Sequence, residues 1–380
     1  MTMTTLLERD AQSWRDLGGL ATAEEIVQQP AVWRALAGVL AAHGKRVADF
    51  LGACLDDPHQ RVILTGAGSS AYVGEIAAGQ LNAGCAADVR ALATTSLLTH
   101  HELYLDPAAP TLLVSFARSG DSPESLAAVN LVRSVVPGAR FLHITCNAAG
   151  SLATQAAGDP AACVLLMPPA SCDRGFAMTS SFTSMLLAAL CVLSRGVDAA
   201  GRLDQLAQLG ERALADWSAP VARLAERPAQ RVVYLGSGPL EALAKEAALK
   251  ILELTGGRIL ALAESPLGFR HGPKSVLDED SQVILFASAK PLARRYDDDL
   301  LAELRRDGIA ADMLTVGAGG DFAAAAPAWP DAWLAPLWLL MAQQYALQQS
   351  VRLRLRPDNP FAGGIVNRVV QGVTIHDHAA

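Results

Sequence analysis

The chain has 380 residues, 51 % hydrophobic and only 18 % charged, with a formal net charge of −7. That length suits two cores better than one, and the apolar content excludes a disordered chain. The acidic balance, without a Lys/Arg cluster or aromatic–basic interleaving, argues against nucleic acid as a partner, so an anionic ligand has to be held by local donors.

The first residues, MTMTTLLERDAQ, lack the basic and apolar regions of a signal peptide. The longest uninterrupted apolar run, Met185–Leu193, is nine residues, against roughly 20 for a membrane span. Six cysteines are scattered without a C-x-x-C pair or metal-ligand spacing, as expected of core thiols in a reducing compartment. A cytoplasmic protein without membrane contact is the expectation. Residues 1 to about 55 predict helices, with Trp14, Ile26, Trp33, Leu36 and Val47 among the apolar stripes and Pro30 where a new helix can start. The first 45 residues are expected to form a helical cap.

The first predicted strand, Arg61–Thr65, ends in Gly66-Ala67-Gly68-Ser69-Ser70 and leads into a helix from about Ala71. Strand, glycine turn and helix start present backbone N–H groups to an anion. The turn is not a full G-x-G-x-x-G and lacks a clear acidic residue about 20 positions on, which disfavours a dinucleotide. A second strand, Thr111–Ser115, runs into Phe116-Ala117-Arg118-Ser119-Gly120-Asp121-Ser122-Pro123-Glu124-Ser125. There Ser122 is the predicted N-cap and Pro123 the first helical residue. Serines commonly do no more than cap helices; Ser69/Ser70 and Ser119/Ser122 at equivalent strand ends, with Arg118 beside them, read better as a phosphate seat. Strands at 141–145 and 163–167 follow, then Thr179–Thr183 and an apolar helix to about Ser194. Near-continuous apolar strands alternating with helices predict an α/β fold with a parallel sheet covered on both faces, its ligand beyond the carboxyl ends of the strands.

A polar helical connection, residues 196–228, marks a boundary, after which the pattern restarts. Arg231–Gly238 mirrors Arg61–Gly68 with an offset of 170 residues; the strands at Gln282 and Met313 mirror Thr111 and Leu142 with an offset of 171. Tandem domains over 46–200 and 201–380 are expected. Only the second copy carries Glu246, Lys250 and Glu253, at i, i+4 and i+7 on one helical face, and the loop Phe269-Arg270-His271-Gly272-Pro273. Such a Glu–Lys pair is usually a solvated surface pair. With a loop histidine nearby it also suits proton transfer on a small anionic molecule. One copy is thus expected to bind the anion and the other to supply acid–base groups, in a composite site. The C-terminal segment reads as an ordered loop, and His376-Asp377-His378 near its end as incidental to metal binding.

Gly66–Ser70, Ser115–Ser125, Thr179–Thr183 and Glu246–Lys274 resemble the sugar isomerase (SIS) domain family. The doubled arrangement is similar to the isomerase half of glucosamine-6-phosphate synthase. Ala263–Lys274 and the run from Asp358 to Thr374 resemble the AgaS type, galactosamine-6-phosphate deaminase/isomerases also described as tagatose-6-phosphate ketose/aldose isomerases. The resemblance implies an α/β fold of tandem SIS domains, each an α-β-α sandwich. It implies phosphate binding by Gly68, Ser69, Ser70, Arg118, Ser119 and Ser122, and proton shuttling between C1 and C2 by Glu253. His271 would open the sugar ring, from its own or the neighbouring subunit of a homodimer or larger homo-oligomer. Glu246 and Lys250 would line the same pocket. Ala117 replaces a serine of the synthase phosphate loop, and Gln371 stands near the position of its C-terminal-loop lysine. No amidotransferase domain accompanies the repeats, which turns the expected chemistry toward deamination.

The expected substrate is therefore a sugar phosphate, and the reaction needs neither redox cofactor nor metal. A neutral-sugar aldose–ketose isomerase would use the same groups without releasing ammonia, and a glucosamine 6-phosphate deaminase would differ at C4. A non-catalytic sugar-phosphate sensor is disfavoured, because such SIS proteins usually carry a DNA-binding module and none is evident here.

Overall fold

The structure, a computed structural model, describes residues 5–227 and 229–376. The chain opens with α1 (Ala11–Leu17), α2 (Leu20–Val27) and α3 (Gln29–Leu51). Strands β1 (Arg61–Thr65), β2 (Asp88–Ala91), β3 (Thr111–Ala117), β4 (Arg140–Thr145) and β5 (Ala162–Leu166) alternate with α4 (Ser69–Asn82), α5 (Thr94–Thr99), α6 (Pro123–Val135) and α7 (Ser151–Gln155). Helices α8 (Ser180–Val192) and α9 (Ala199–Ala225) follow. Then come β6 (Arg231–Gly236), α10 (Pro239–Leu254), β7 (Leu260–Glu264), α11 (Pro266–Phe269), β8 (Ser281–Phe286), α12 (Pro291–Asp307), β9 (Asp312–Val316) and α13 (Asp331–Arg352).

Two compact units result. One gathers Ala31–Cys172, Ser180–Leu203 and the chain from Gly364 on; the other gathers the chain up to Pro30, Asp173–Thr179 and Asp204–Gly363. The former has a parallel sheet in the order β2-β1-β3-β4-β5, and the latter one in the order β7-β6-β8-β9. In the first, Ile63, Leu113 and Phe141 pack beneath Leu97 of α5, Val129 and Val132 of α6 and Leu152 of α7. Side chains alternate across a strand, so Val62, Leu64, Leu112 and Val114 are buried on the opposite face, where α4 packs on β1 and α8 on β4. The second unit repeats the plan. Val233, Leu235, Val283 and Leu285 meet Phe269 of α11 and Leu300, Leu301 and Leu304 of α12, while α10 packs on β6, β7 and α13. Every residue of β3 and β8 is buried, as strands covered on both faces must be.

The duplication holds, with a correction to its register. Arg61 pairs with Thr111 and Arg231 with Ser281, so Ser281, not Gln282, is the counterpart of Thr111. Leu112 pairs with Arg140 and Gln282 with Asp312, which makes Asp312 the counterpart of Arg140 and Met313 that of Phe141. A uniform offset of 171 is one residue out in both strands. Strands apolar on both faces carry no polar–apolar alternation to expose such a slip.

Both copies turn at β1 and β6 in the same way. A Cβ on Gly66 would meet the Ser70 backbone at 2.5 Å, and one on Gly236 the Leu240 carbonyl oxygen at 2.2 Å. Gly68 (φ 56°, ψ −131°) and Gly238 (φ 58°, ψ −123°) share a left-handed φ that favours glycine. Among the described residues no helix is long and apolar enough to cross a membrane.

Candidate active site

The order β2-β1-β3 makes the carboxyl ends of β1 and β3 a topological switch point, where ligands of open parallel sheets bind. Both serine turns leave from this edge. Ser69 and Ser70 form the first residues of α4 and are buried, at 4 % and 6 % exposure. Ser122 is the N-cap of α6 as predicted, yet its hydroxyl does not cap the helix; its Oγ lies 2.7 Å from Ser125 Oγ. Ser119 is half-buried, its Oγ accepting from the Asp121 amide, and Asn147 Nδ2 donates to the Ser119 carbonyl at 2.9 Å. Arg118 is buried, and its Nη2 donates to the Arg368 carbonyl at 3.0 Å. This edge offers two helix starts, four hydroxyls and a guanidinium, a donor set for an anion.

The equivalent edge of the second sheet is filled by the chain's own carboxylates. Asp297 accepts from Ser237 Oγ at 3.0 Å and from the Ser288 amide at 2.9 Å. Asp331 accepts from Ser288 Oγ at 2.5 Å and the Ala289 amide at 2.7 Å. Burial pushes the Asp297 carboxyl up, against the pull of those hydrogen bonds. Donors that could serve a ligand anion in this copy are committed to internal ones.

On α10 the i, i+4, i+7 spacing places three charges in contact. Lys250 Nζ lies 3.3 Å from Glu246 Oε1 and 2.5 Å from Glu253 Oε2. Glu246 and Lys250 side chains are fully buried, whereas Glu253 keeps 22 % of its side chain exposed. Burial alone would lower the Lys250 pKa; Glu246 and Glu253 more than offset it and hold the ammonium above its ordinary value. The array presents one partly exposed glutamate backed by a buried cation and a second, fully buried glutamate.

His271 is exposed, and its imidazole makes no hydrogen bond among the described residues. Its loop is anchored on both sides. Phe269 is fully buried in the core under α11 and α12. Arg270 pairs with Glu303 and Asp299 at 2.8 Å each, and Lys274 pairs with Glu303 at 2.6 Å and with Asp307. The neighbouring cations thus hold the loop to α12 while the histidine projects from it.

No family model matches the chain. The D-galactosamine-6-phosphate deaminase AgaS of Shewanella sp. (strain ANA-3) is 42 % identical over 370 residues, covering 96 % of this chain and 94 % of that protein. Its namesake from Escherichia coli O157:H7 is 44 % identical over 375 residues, covering 94 % and 96 %. The chain belongs to the AgaS family. The crystal structure of tagatose-6-phosphate ketose/aldose isomerase from Escherichia coli superimposes with a TM-score of 0.88 at 40 % identity, over 95 % of this chain and 98 % of that one. Membership of the AgaS family therefore rests on the whole length of the chain, not on its motifs alone.

The unit built on β6–β9 also holds a buried acidic pair that no local spacing in the sequence points to. Glu25 of α2 is 2 % exposed and accepts from the amides of Arg174 and Gly175. Asp173, also buried, accepts from the Thr179 amide and hydroxyl. These carboxylates organise residues 173–179, just before α8. Burial first, then the charge of Asp173, raises the Glu25 pKa from 4.5 to about 7, against the pull of the two amides and the Arg174 guanidinium. The folded protein then holds a proton that the unfolded chain has released, so stability falls as pH rises from about 4.5 to about 7. Glu25→Gln should flatten that part of the profile, read from urea midpoints at half-unit pH steps. Among the described residues no group of three or more His, Cys, Asp or Glu is placed to hold a metal. Asp377 and His378 of the terminal His-Asp-His lie outside the described residues.

Proposed function

We propose that this chain converts galactosamine 6-phosphate to tagatose 6-phosphate and ammonia. The observation that carries the reading is the α10 array, in which only Glu253 is partly exposed and its carboxylate is backed by buried Lys250. A fixed, partly exposed glutamate suits a group that takes a proton from one carbon and returns it to the next. In this reading His271 assists opening of the sugar ring, from its own subunit or a neighbour's. Glu253 then removes the C2 proton and delivers it to C1 through an enolamine. Water adds to the resulting C2 ketimine, and the C–N bond breaks to leave the ketose phosphate and ammonia. Lys250 and Glu246 hold the Glu253 carboxylate in place.

The phosphate-binding groups in this reading are the turns at Gly68-Ser69-Ser70 and Arg118-Ser119, with Ser122 at the start of α6. Binding energy from this remote group positions the reacting carbons. Family membership supports the substrate class, since the relatives at 42 % and 44 % identity are named for galactosamine 6-phosphate. Six free cysteines fit the reducing cytoplasm proposed as its compartment, and a homodimer is the simplest assembly in which a neighbour could lend His271.

Ser122→Ala separates a phosphate ligand from a helix cap. A working N-cap contributes about 0.5–2 kcal/mol, but the Ser122 hydroxyl makes no such bond. The expected result is a thermal midpoint close to wild type and a KM raised roughly tenfold, the loss of about one hydrogen bond to a charged group. An unchanged KM would remove Ser122 from the seat. For the function itself, ammonia release is measured from galactosamine 6-phosphate and glucosamine 6-phosphate side by side. Release from the galacto sugar at the higher rate is expected. Ketose formation from a neutral sugar phosphate, with no ammonia from either amino sugar, would overturn the deaminase reading.

A further inference from the structure

A cavity of about 230 Å3 in the unit built on β1–β5 lies between α6, α7 and β4, away from the strand ends that form the seat. Leu126, Val129, Leu152 and Ala156 give it an apolar lining, and Asn130, Arg133, His143, Gln155 and Asp159 a polar one. His143, on β4, is only 2 % exposed, and its Nδ1 has no hydrogen-bond partner among the described residues. Buried polar atoms are nearly always satisfied, and an exception needs an explanation. Nearby, the Arg133 guanidinium lies 4.5 Å from the Phe141 ring centroid, and its Nη2 donates to Asp159 Oδ2 at 2.7 Å.

The charges of this lining cancel. Arg133 and Asp159 neutralise one another. Burial, then the charge of Arg133, lowers the His143 pKa to about 4, with Asp159 pulling the other way, so the imidazole is neutral at neutral pH. A phosphate or carboxylate would enter with a charge the cavity does not compensate. What remains is a mixture of donors and acceptors beside aliphatic carbon. The neutral imidazole supplies one of each, and Asn130 and Gln155 supply both. A hydroxyl group also donates and accepts, and the C–H face of a carbohydrate suits the leucine and valine side.

We propose that this cavity binds an uncharged, polyhydroxylated small molecule, a polyol or an unphosphorylated sugar, through His143, Arg133 and Asn130. The volume corresponds to about eight waters at ~30 Å3 each, which matches a compact polyol and excludes a nucleotide. The site is separate from the phosphate seat and does not depend on the proposed reaction. A merely hydrated void is the competing account, and binding distinguishes the two.

Saturation-transfer NMR of the full chain with glycerol, erythritol and sorbitol provides the test. At least one probe should give a saturable signal. That signal should fall at least fivefold in Ala156→Phe, whose ring fills the cavity, and in Arg133→Gln. Arg133 is 46 % exposed in its side chain, so Arg133→Gln is expected to keep the wild-type melting temperature and remain informative if Ala156→Phe folds poorly. No saturable signal from any probe with the wild-type protein would overturn the proposal. So would a signal that survives in Arg133→Gln and Ala156→Phe alike, because the probe would then bind elsewhere.

Discussion

Glu253→Gln is expected to lower turnover of galactosamine 6-phosphate by about 10²–10⁴-fold, the usual contribution of a positioned acid–base group. The amide keeps the shape of the carboxylate and still offers Lys250 an oxygen acceptor, now without charge. It cannot take the C2 proton. Since Glu253 is proposed to meet the carbons and not the phosphate, the dissociation constant for the sugar phosphate should stay within a few-fold of wild type. Single-turnover kinetics and calorimetric titration measure the two quantities separately. Turnover near wild type would remove Glu253 from the reaction. Loss of binding with unchanged single-turnover chemistry would reassign it to substrate affinity. Solvent-deuterium incorporation adds a sharper readout. If one carboxylate carries the proton from C2 to C1, some product should retain the substrate's own hydrogen, and deuterium at C1 should be less than complete.

The candidate groups legible in the sequence share one property: they depend on local spacing. Glu246, Lys250 and Glu253 meet because a helix repeats every 3.6 residues. Ser69/Ser70 and Ser122 fall at helix starts because glycine and proline fix where helices begin. The central strands are readable as apolar runs ending in turn residues. The edge strands β2 and β7 are not. Asp88-Val-Arg-Ala91 is short and half polar, and Leu260–Glu264 stays partly exposed at the sheet margin. Helix α13 is not legible for the opposite reason: it is buried on all sides from Asp331 to Ser350, so it has no polar face to set a helical period.

Long-range closure was also out of reach. Ser237 and Asp297 are 60 positions apart, and Ser288 and Asp331 are 43. No spacing rule predicts that these carboxylates occupy the strand-end donors of the second copy. The second copy has Ala287-Ser288-Ala289-Lys290 where the first has Ala117-Arg118-Ser119-Gly120; the structure adds that the donors it keeps are already taken. Likewise, spacing puts three charges on one face of α10 but cannot say which one reaches solvent. That distinction separates Glu253 from its two buried neighbours.

The burial of the other two makes Lys250→Met the substitution with the largest expected effect on stability. Glu246 and Lys250 are both fully buried, and removing one partner of a buried ion pair costs about 3–5 kcal/mol. The lost stability should be measurable by urea unfolding, followed by both circular dichroism and tryptophan fluorescence because the chain has two units. The pH dependence has a definite sign. Lys250 has a folded pKa above its unfolded value, so its contribution is complete below the unfolded value of about 10.4 and is lost as pH rises through the folded one. Between pH 6 and 9 the difference between wild type and Lys250→Met should therefore owe nothing to deprotonation of the lysine. Adding Glu246→Leu to Lys250→Met removes the buried carboxylate as well, and replacing a whole buried pair by apolar side chains is often close to neutral. The double variant should recover most of the lost stability. It should not recover turnover, since Glu253 would still lack the cation 2.5 Å from its carboxylate. Recovery of both would make Lys250 only a structural element; recovery of stability alone would show that this pair is retained for the chemistry of Glu253.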